Sequence, residues 1–149
     1  MSLRSRLDAA GISLPAVAKP VGAYVPAQRV AGQVWTSGQL PVVDGTLQYQ
    51  GIVGAGVSLE DGAAAARQCA LNALAAVASI ADLDKIARVV KVTVFVASDT
   101  SFVDQAKVAN GASELLGELF DEPHVRSAVG VAVLPLGAPV ELEMVVDVD

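Results

Sequence analysis

The sequence predicts an α+β domain in which two helices cover one face of a mixed sheet. Three features lead there. An alanine-rich stretch from Leu59 to about Ile80 repeats its apolar residues at helical spacing, a second helical pattern runs to about Phe120, and the segments 88–96, 126–134 and 140–148 alternate with a period of two. With 53% hydrophobic and 17% charged residues, the chain is not intrinsically disordered. Its 149 residues are enough for one core that buries roughly 70% of the unfolded surface.

Leu3, Leu7 and Ala10 fall on one face of a short amphipathic helix that Gly11 stops. A connector punctuated by Pro15, Pro20 and Pro26 follows, then short strands around residues 29–30 and 34–37. Asp44-Gly45 is a hairpin signal ahead of Leu47-Gln48-Tyr49. Ser58 is the expected cap of the alanine-rich helix, with Glu60 and Asp61 in an acidic first turn and Ala66, Ala70, Ala73, Leu74 and Val77 on its buried face. In the next strand Val90, Val92, Val94 and Val96 are expected to point one way, with Lys91, Thr93 and Phe95 pointing the other. Asp99 or Thr100 is the expected cap of the second long helix, which Asp121-Glu122-Pro123 breaks.

The two final strands carry the least ordinary patterns. Ser127, Val129, Val131 and Val133 are assigned to the helix-packed side, which leaves Arg126, Ala128, Gly130 and Ala132 as a nearly bare floor on the other. In the last strand Val140, Leu142 and Met144 oppose Glu141, Glu143 and Val145. The order is ββ(β)αβαββ, read as one domain over residues 1–149 with helix and connector in residues 1–20.

Several function classes are excluded early. No apolar run approaches the roughly 18 residues of a membrane helix, and no secretory signal pattern opens the sequence, so the cytoplasm is the expected location. Cys69 and His124 are the sole cysteine and histidine, too few for an internal disulfide or a zinc site of the usual kind. Cys69 reads as a small buried hydrophobe and His124 as a loop residue. A net charge of −6 and only 4% aromatic residues oppose a nucleic-acid role.

Candidate chemistry concentrates in a few places. Arg126, at the end of its small-residue floor, suits bidentate recognition of a carboxylate, with an ordinary surface ion pair as the alternative. Glu141 and Glu143 share a strand face, where a partly buried carboxylate can orient water; a solvated sheet face is the alternative. Thr36-Ser37-Gly38-Gln39 offers a hydroxyl and exposed amides to an anion or carbonyl, or is a plain turn. Gly54-Ala55-Gly56 precedes a helix, but Leu59 stands where a third glycine belongs, so a phosphate loop is discounted.

Arg126-Ser127-Ala128-Val129-Gly130-Val131, then Leu134-Pro135, then Val140-Glu141-Leu142-Glu143 resembles the signature of the RidA family, the YjgF-type or endoribonuclease L-PSP-like proteins. Gly22-Ala23-Tyr24, Thr36-Ser37-Gly38-Gln39, Lys91–Val96 and the pair Asn110 and Glu114 resemble further family motifs in the same order. The resemblance covers residues 20–148. It implies a chorismate-mutase-like fold, a homotrimer with clefts between subunits, and hydrolytic deamination of 2-enamine and 2-imine acids such as 2-aminoacrylate, without cofactor or metal. By position it implies that Arg126 holds the substrate carboxylate and Glu141 orients water, while Tyr24, Ser37, Gly38, Asn110 and the backbone at Ala128 line the cleft. The chain departs from the pattern at Ala128, where the family often has Cys, at Gly130 and Ser113, and in its extra N-terminal helix. A non-catalytic binder of small carboxylates and a ribonuclease are the alternative readings, the latter opposed by the acidity of the chain.

The composite nature of the site is also expected from spacing. If the last two strands pair as a hairpin around Gly137, Arg126 and Glu141 lie roughly 23 Å apart at about 3.3 Å per residue. One small substrate then needs them from different chains.

Overall fold

A computed structural model describes residues 1–149. At the N-terminus, α1 (Leu3–Ala9) is capped by Ser2, whose hydroxyl accepts the Ser5 N–H, and it buries Leu3 and Leu7. Gly11 ends it with a positive φ of 67°. The strands β1 (Ala27–Val30) and β2 (Gln33–Thr36) pair antiparallel. Next, β3 (Val42–Val43) and β4 (Thr46–Leu47) form the hairpin expected from Asp44-Gly45, both of which adopt the positive φ of a primed turn. The short pair β5 (Ile52–Val53) and β6 (Gly56–Val57) was not legible as strands; its Gly54 packs on Phe102 and makes a tight turn.

Ser58 caps α2 (Leu59–Ala78) by accepting the Asp61 N–H at 3.1 Å. The five residues Ala66, Ala70, Ala73, Leu74 and Val77 are all completely buried, as their spacing predicts. Small side chains let α2 pack closely both on the sheet, chiefly β9, and against its neighbour α3 (Gln105–Leu119), which lies over β7 and β8. A Cβ on Gly111 of α3 would fall 2.0 Å from the Ala63 carbonyl oxygen, so the two helix backbones meet with no side chain between them. The buried Asn72 amide donates to the Leu40 and Val42 carbonyls, both at 2.9 Å, and ties the β3 region to α2. One contiguous core of 32 buried residues fills the space between the helices and the sheet.

Four expectations need correction. In β7 (Ile86–Ala97) an irregularity between Val89 and Lys91 shifts the alternation, so Val89 joins Val92, Val94 and Val96 in the core while Val90 is only half-buried. The helix α3 starts about five residues later than Asp99 or Thr100 would place it. Asp99 instead closes a local turn, accepting the Ser101 N–H and hydroxyl, which also hold its carboxyl below the usual range.

The third and fourth corrections concern β8 (Val125–Val131) and β9 (Val140–Val148), which are not hairpin partners. The sheet order is β1-β2-β9-β7-β8: β7 lies between them, antiparallel to β9 and parallel to β8. A strand, a helix and a returning strand make a crossover that sets β8 parallel beside β7, leaving the other edge of β7 for β9. The faces of β8 are also reversed. Pairing of Arg126 with Val92, Ala128 with Val94 and Gly130 with Val96 places the small residues on the helix side. A Cβ on Gly130 would sit 2.9 Å from Nε2 of Gln105, the movable end of an α3 side chain. Val129 lies on the open face and is 43% exposed.

On β9 the expected faces hold, with Val140, Leu142 and Met144 buried against the helices and Glu141, Glu143 and Val145 on the open side. No helix is long and apolar enough to cross a membrane.

Candidate functional site

The residues singled out by the sequence gather into two half-sites rather than one. The first lies where α3 crosses the end of β8. Arg126 reaches back under the helix and donates from Nη1 to Asn110 Oδ1 at 2.7 Å and to Ser113 Oγ at 3.1 Å. Asn110 and Ser113 can share this task because residues three apart lie on one face of a helix. Ser113 also meets His124 Nε2 at 2.9 Å. Half-burial and the neighbouring Arg126 charge both push the His124 pKa down, which favours the neutral ring.

All the partners of Arg126 are neutral. The ion pairs of the chain use Arg4, Arg6, Arg88 and Lys107, so this guanidinium has no counter-charge within its own subunit. Its orientation is fixed while donors beyond Nη1 and its full charge remain available to an anion. Two residues further on, Ala128 packs half-buried against the core. Because β8 is the edge of the sheet, a row of its backbone groups lacks a strand partner.

The second half-site stands at the start of β9. Glu141 is half-buried, and its pKa is raised first by burial and then by the neighbouring charge of Glu143. Its carboxylate covers Gly38: a Cβ there would come within 2.6 Å of Glu141 Oε1, so any larger residue would push the Glu141 side chain aside. Ser37 donates its hydroxyl to the Val25 carbonyl at 2.6 Å, and the Tyr24 hydroxyl accepts the Val21 N–H at 3.2 Å. The Ser37 bond fastens the connector to the end of β2, while the Tyr24 bond closes a turn within the connector, with Tyr24 still 48% exposed.

Sheet register separates the half-sites. Glu141 pairs with Phe95, and Phe95 with Val129, three residues beyond Arg126. Two strand spacings and three residues put the two backbones roughly 14 Å apart. Arg126 also faces the helices while Glu141 faces the open side. Arg126 and Asn110 therefore come together, with Ala128 two residues along the strand, as do Glu141 and Gly38, while Ser37 and Tyr24 bond to the connector instead, and one chain does not unite the groups. Ser113 and His124 were not among the sequence-predicted site residues. The three-residue step from Asn110 to Ser113 was the available signal; nothing in the sequence places His124 beside them.

The raised pKa of Glu141 has a stability consequence. Ionising this carboxyl costs more in the folded chain than in the unfolded one, so its contribution is fully present below the ordinary glutamate range and is lost as pH rises through the raised value. Glu141→Gln is therefore expected to unfold at a higher temperature than wild type at pH 7, with the gap closing below the ordinary glutamate range. Calorimetry at both pH values checks this, and a gap that widens on acidification contradicts it.

Comparison with known proteins agrees with the fold. The family described as "YjgF/chorismate_mutase-like, putative endoribonuclease" matches residues 4–146. Protein TCP17 of Trypanosoma cruzi is 44% identical over 149 residues, covering 97% of this chain and 93% of its own. Protein Atu1372 of Agrobacterium tumefaciens has a solved structure that superimposes with a TM-score of 0.88 at 42% identity, over 99% of this chain and 92% of that one. The structure of E. coli TdcF with bound serine superimposes at 0.66 and 27% identity, over 91% and 94% of the two chains. The motifs around Arg126 and Glu141, the mixed sheet with its helices on one face, and a match over nearly the whole sequence lead to one assignment: this chain belongs to the YjgF/chorismate mutase-like family.

Proposed function

We propose that this protein is a hydrolytic deaminase of reactive 2-enamine and 2-imine acids of the 2-aminoacrylate type. The observation that carries this reading is Arg126, a guanidinium held in place by neutral partners and lacking any internal counter-charge. It binds the substrate carboxylate. Glu141, more basic than an ordinary carboxylate, takes a proton from water as the water oxygen bonds to the imine carbon. That proton passes to the imine nitrogen (an enamine substrate first tautomerises to the imine), giving a carbinolamine. Its hydroxyl proton then moves to the nitrogen as the carbon–nitrogen bond breaks and C=O forms, and the products are a 2-oxo acid and ammonia. Tyr24, Ser37, Gly38, Asn110 and the backbone at Ala128 line the site. Positioning and charge complementarity suffice for this reaction, which calls on no cofactor or metal.

Because Arg126 and Glu141 of one chain face opposite sides of the sheet, a working site draws them from two chains. A homotrimer with three such clefts, placed in the cytoplasm, completes the reading. On the open sheet face the exposed Trp35 and Val129 stand beside Lys91, Thr93 and Glu143, a mixed surface that another copy is proposed to cover. A bound serine in the related TdcF supports a small carboxylate as ligand. That same finding favours a second reading, a carboxylate-binding protein that uses Arg126 without needing Glu141. The ribonuclease named in the family description is disfavoured by the net charge of −6.

Generating 2-aminoacrylate in situ and following keto-acid release tests the proposal. Wild type should accelerate release above the buffer rate and Arg126→Ala should not. Equal rates from the two proteins would remove Arg126 from the reaction.

A further inference from the structure

Beneath α3, two residues of a helix meet two of an extended strand. Asn110 and Ser113 share a helix face, and His124 and Arg126, two apart where β8 begins, share a strand face. Three contacts join them: Arg126 Nη1 to Asn110 Oδ1, Arg126 Nη1 to Ser113 Oγ, and Ser113 Oγ to His124 Nε2.

Counting hydrogens gives these contacts a direction. Nη1 carries two, and its bonds to Asn110 and Ser113 use both. Ser113 is therefore an acceptor toward Arg126, and its single hydroxyl hydrogen is left for His124. Half-burial, and then the Arg126 charge, hold the ring neutral. Nε2 is thus the acceptor, and the ring hydrogen sits on Nδ1. With Nε2–H donating instead, the Ser113 hydrogen would have no partner.

The chain of donors selects one edge of the guanidinium. With Nη1 spent, Nε–H and Nη2 remain, and they offer a side-on pair of donors to a carboxylate. Were Ser113 to turn its hydrogen toward Arg126, one Nη1 hydrogen would be released, and the end-on edge of Nη1 and Nη2 would compete. By holding the hydroxyl hydrogen, His124 prevents that turn.

We propose that Ser113 and His124 are positioning residues, which through this one donor chain hold Arg126 so that a substrate carboxylate docks side-on at Nε and Nη2. This rests on reading Arg126 as the carboxylate-binding group. Neither residue touches the substrate: His124 acts through Ser113, and Ser113 through Arg126. Each break in the chain costs one hydrogen bond around a charged group, which corresponds to about tenfold in affinity.

Calorimetric binding of pyruvate, above the ordinary histidine range, reads the chain without requiring turnover. Ser113→Ala and His124→Phe are each expected to bind about tenfold more weakly than wild type. The double variant should bind no more weakly than the worse single, because a chain broken twice is still one chain. His124→Gln, whose amide oxygen accepts the same hydrogen, should recover most of the affinity, a rescue that a packing role alone would not give. His124 is the sole histidine, so its ring nitrogens give unambiguous magnetic-resonance signals, and wild type is expected in the Nδ1–H form. Wild-type affinity in the folded single variants, losses that multiply in the double variant, an Nε2–H ring, or no binding of pyruvate overturns the inference. The ring form is read on wild-type protein, so a variant that fails to fold leaves the inference open to refutation. If the losses and the rescue are seen but imines made in situ are not hydrolysed, the positioning stands and the deaminase reading falls.

Discussion

Arg126→Lys is expected to unfold at the wild-type temperature and to hydrolyse 2-imino acids about a hundredfold more slowly, the scale of losing one fixed donor at a charge-bearing site. Arg126 does two jobs with one planar group. Its Nη1 is committed to Asn110 and Ser113, and under the proposed function the rest of the fork meets the substrate carboxylate. An ammonium is a single point on a flexible stem. It can keep the contact with Asn110 and Ser113 or meet the substrate, but it cannot do both in one fixed orientation. Little stability is at stake, because the side chain is only half-buried and forms no ion pair. The measurement is kcat/KM for imine hydrolysis beside a thermal unfolding curve. Full turnover by a folded Arg126→Lys protein would show that the bidentate fork is not used.

The other large effect is a rescue. Arg126→Ala and Glu141→Gln chains, each inactive alone, are expected to recover about a quarter of wild-type activity when subunits exchange at equal amounts, because each site in a closed ring then has that chance of drawing an intact residue from both neighbours. The sheet order is the reason. With β7 between β8 and β9, and the two side chains on opposite faces, neither mutant subunit can rebuild a site from itself. Mass measurement of mixed oligomers verifies exchange. Verified exchange without recovery, or a chain that stays monomeric at working concentration, overturns the composite site.

Much of this molecule is local and was legible as such. Ser58 before an acidic turn and an alanine face located α2, the Asp44-Gly45 pair located the β3–β4 hairpin, and the β9 alternation assigned Glu141 and Glu143 to one face and Leu142 and Met144 to the other. The motifs at Arg126 and Glu141 pointed to the family for the same reason: each is a short run of residues whose chemistry survives without its neighbours. What the sequence by itself determined is thus the identity and period of the elements, because propensity, capping and alternation act over a few residues. Only the tertiary structure decided which face of β8 turns inward and which strand sits beside it. A period of two says that faces differ, not which is covered. In β8 the larger valines look like core, yet the register with β7 turns Arg126, Ala128 and Gly130 toward α3 and leaves Val129 on the open face. Partnership was likewise settled by the β7–α3–β8 crossover, a constraint between segments far apart in the chain. The bonds of Ser113 to Arg126 and to His124, and the separation of Arg126 from Glu141, follow from that packing and from no single stretch of sequence.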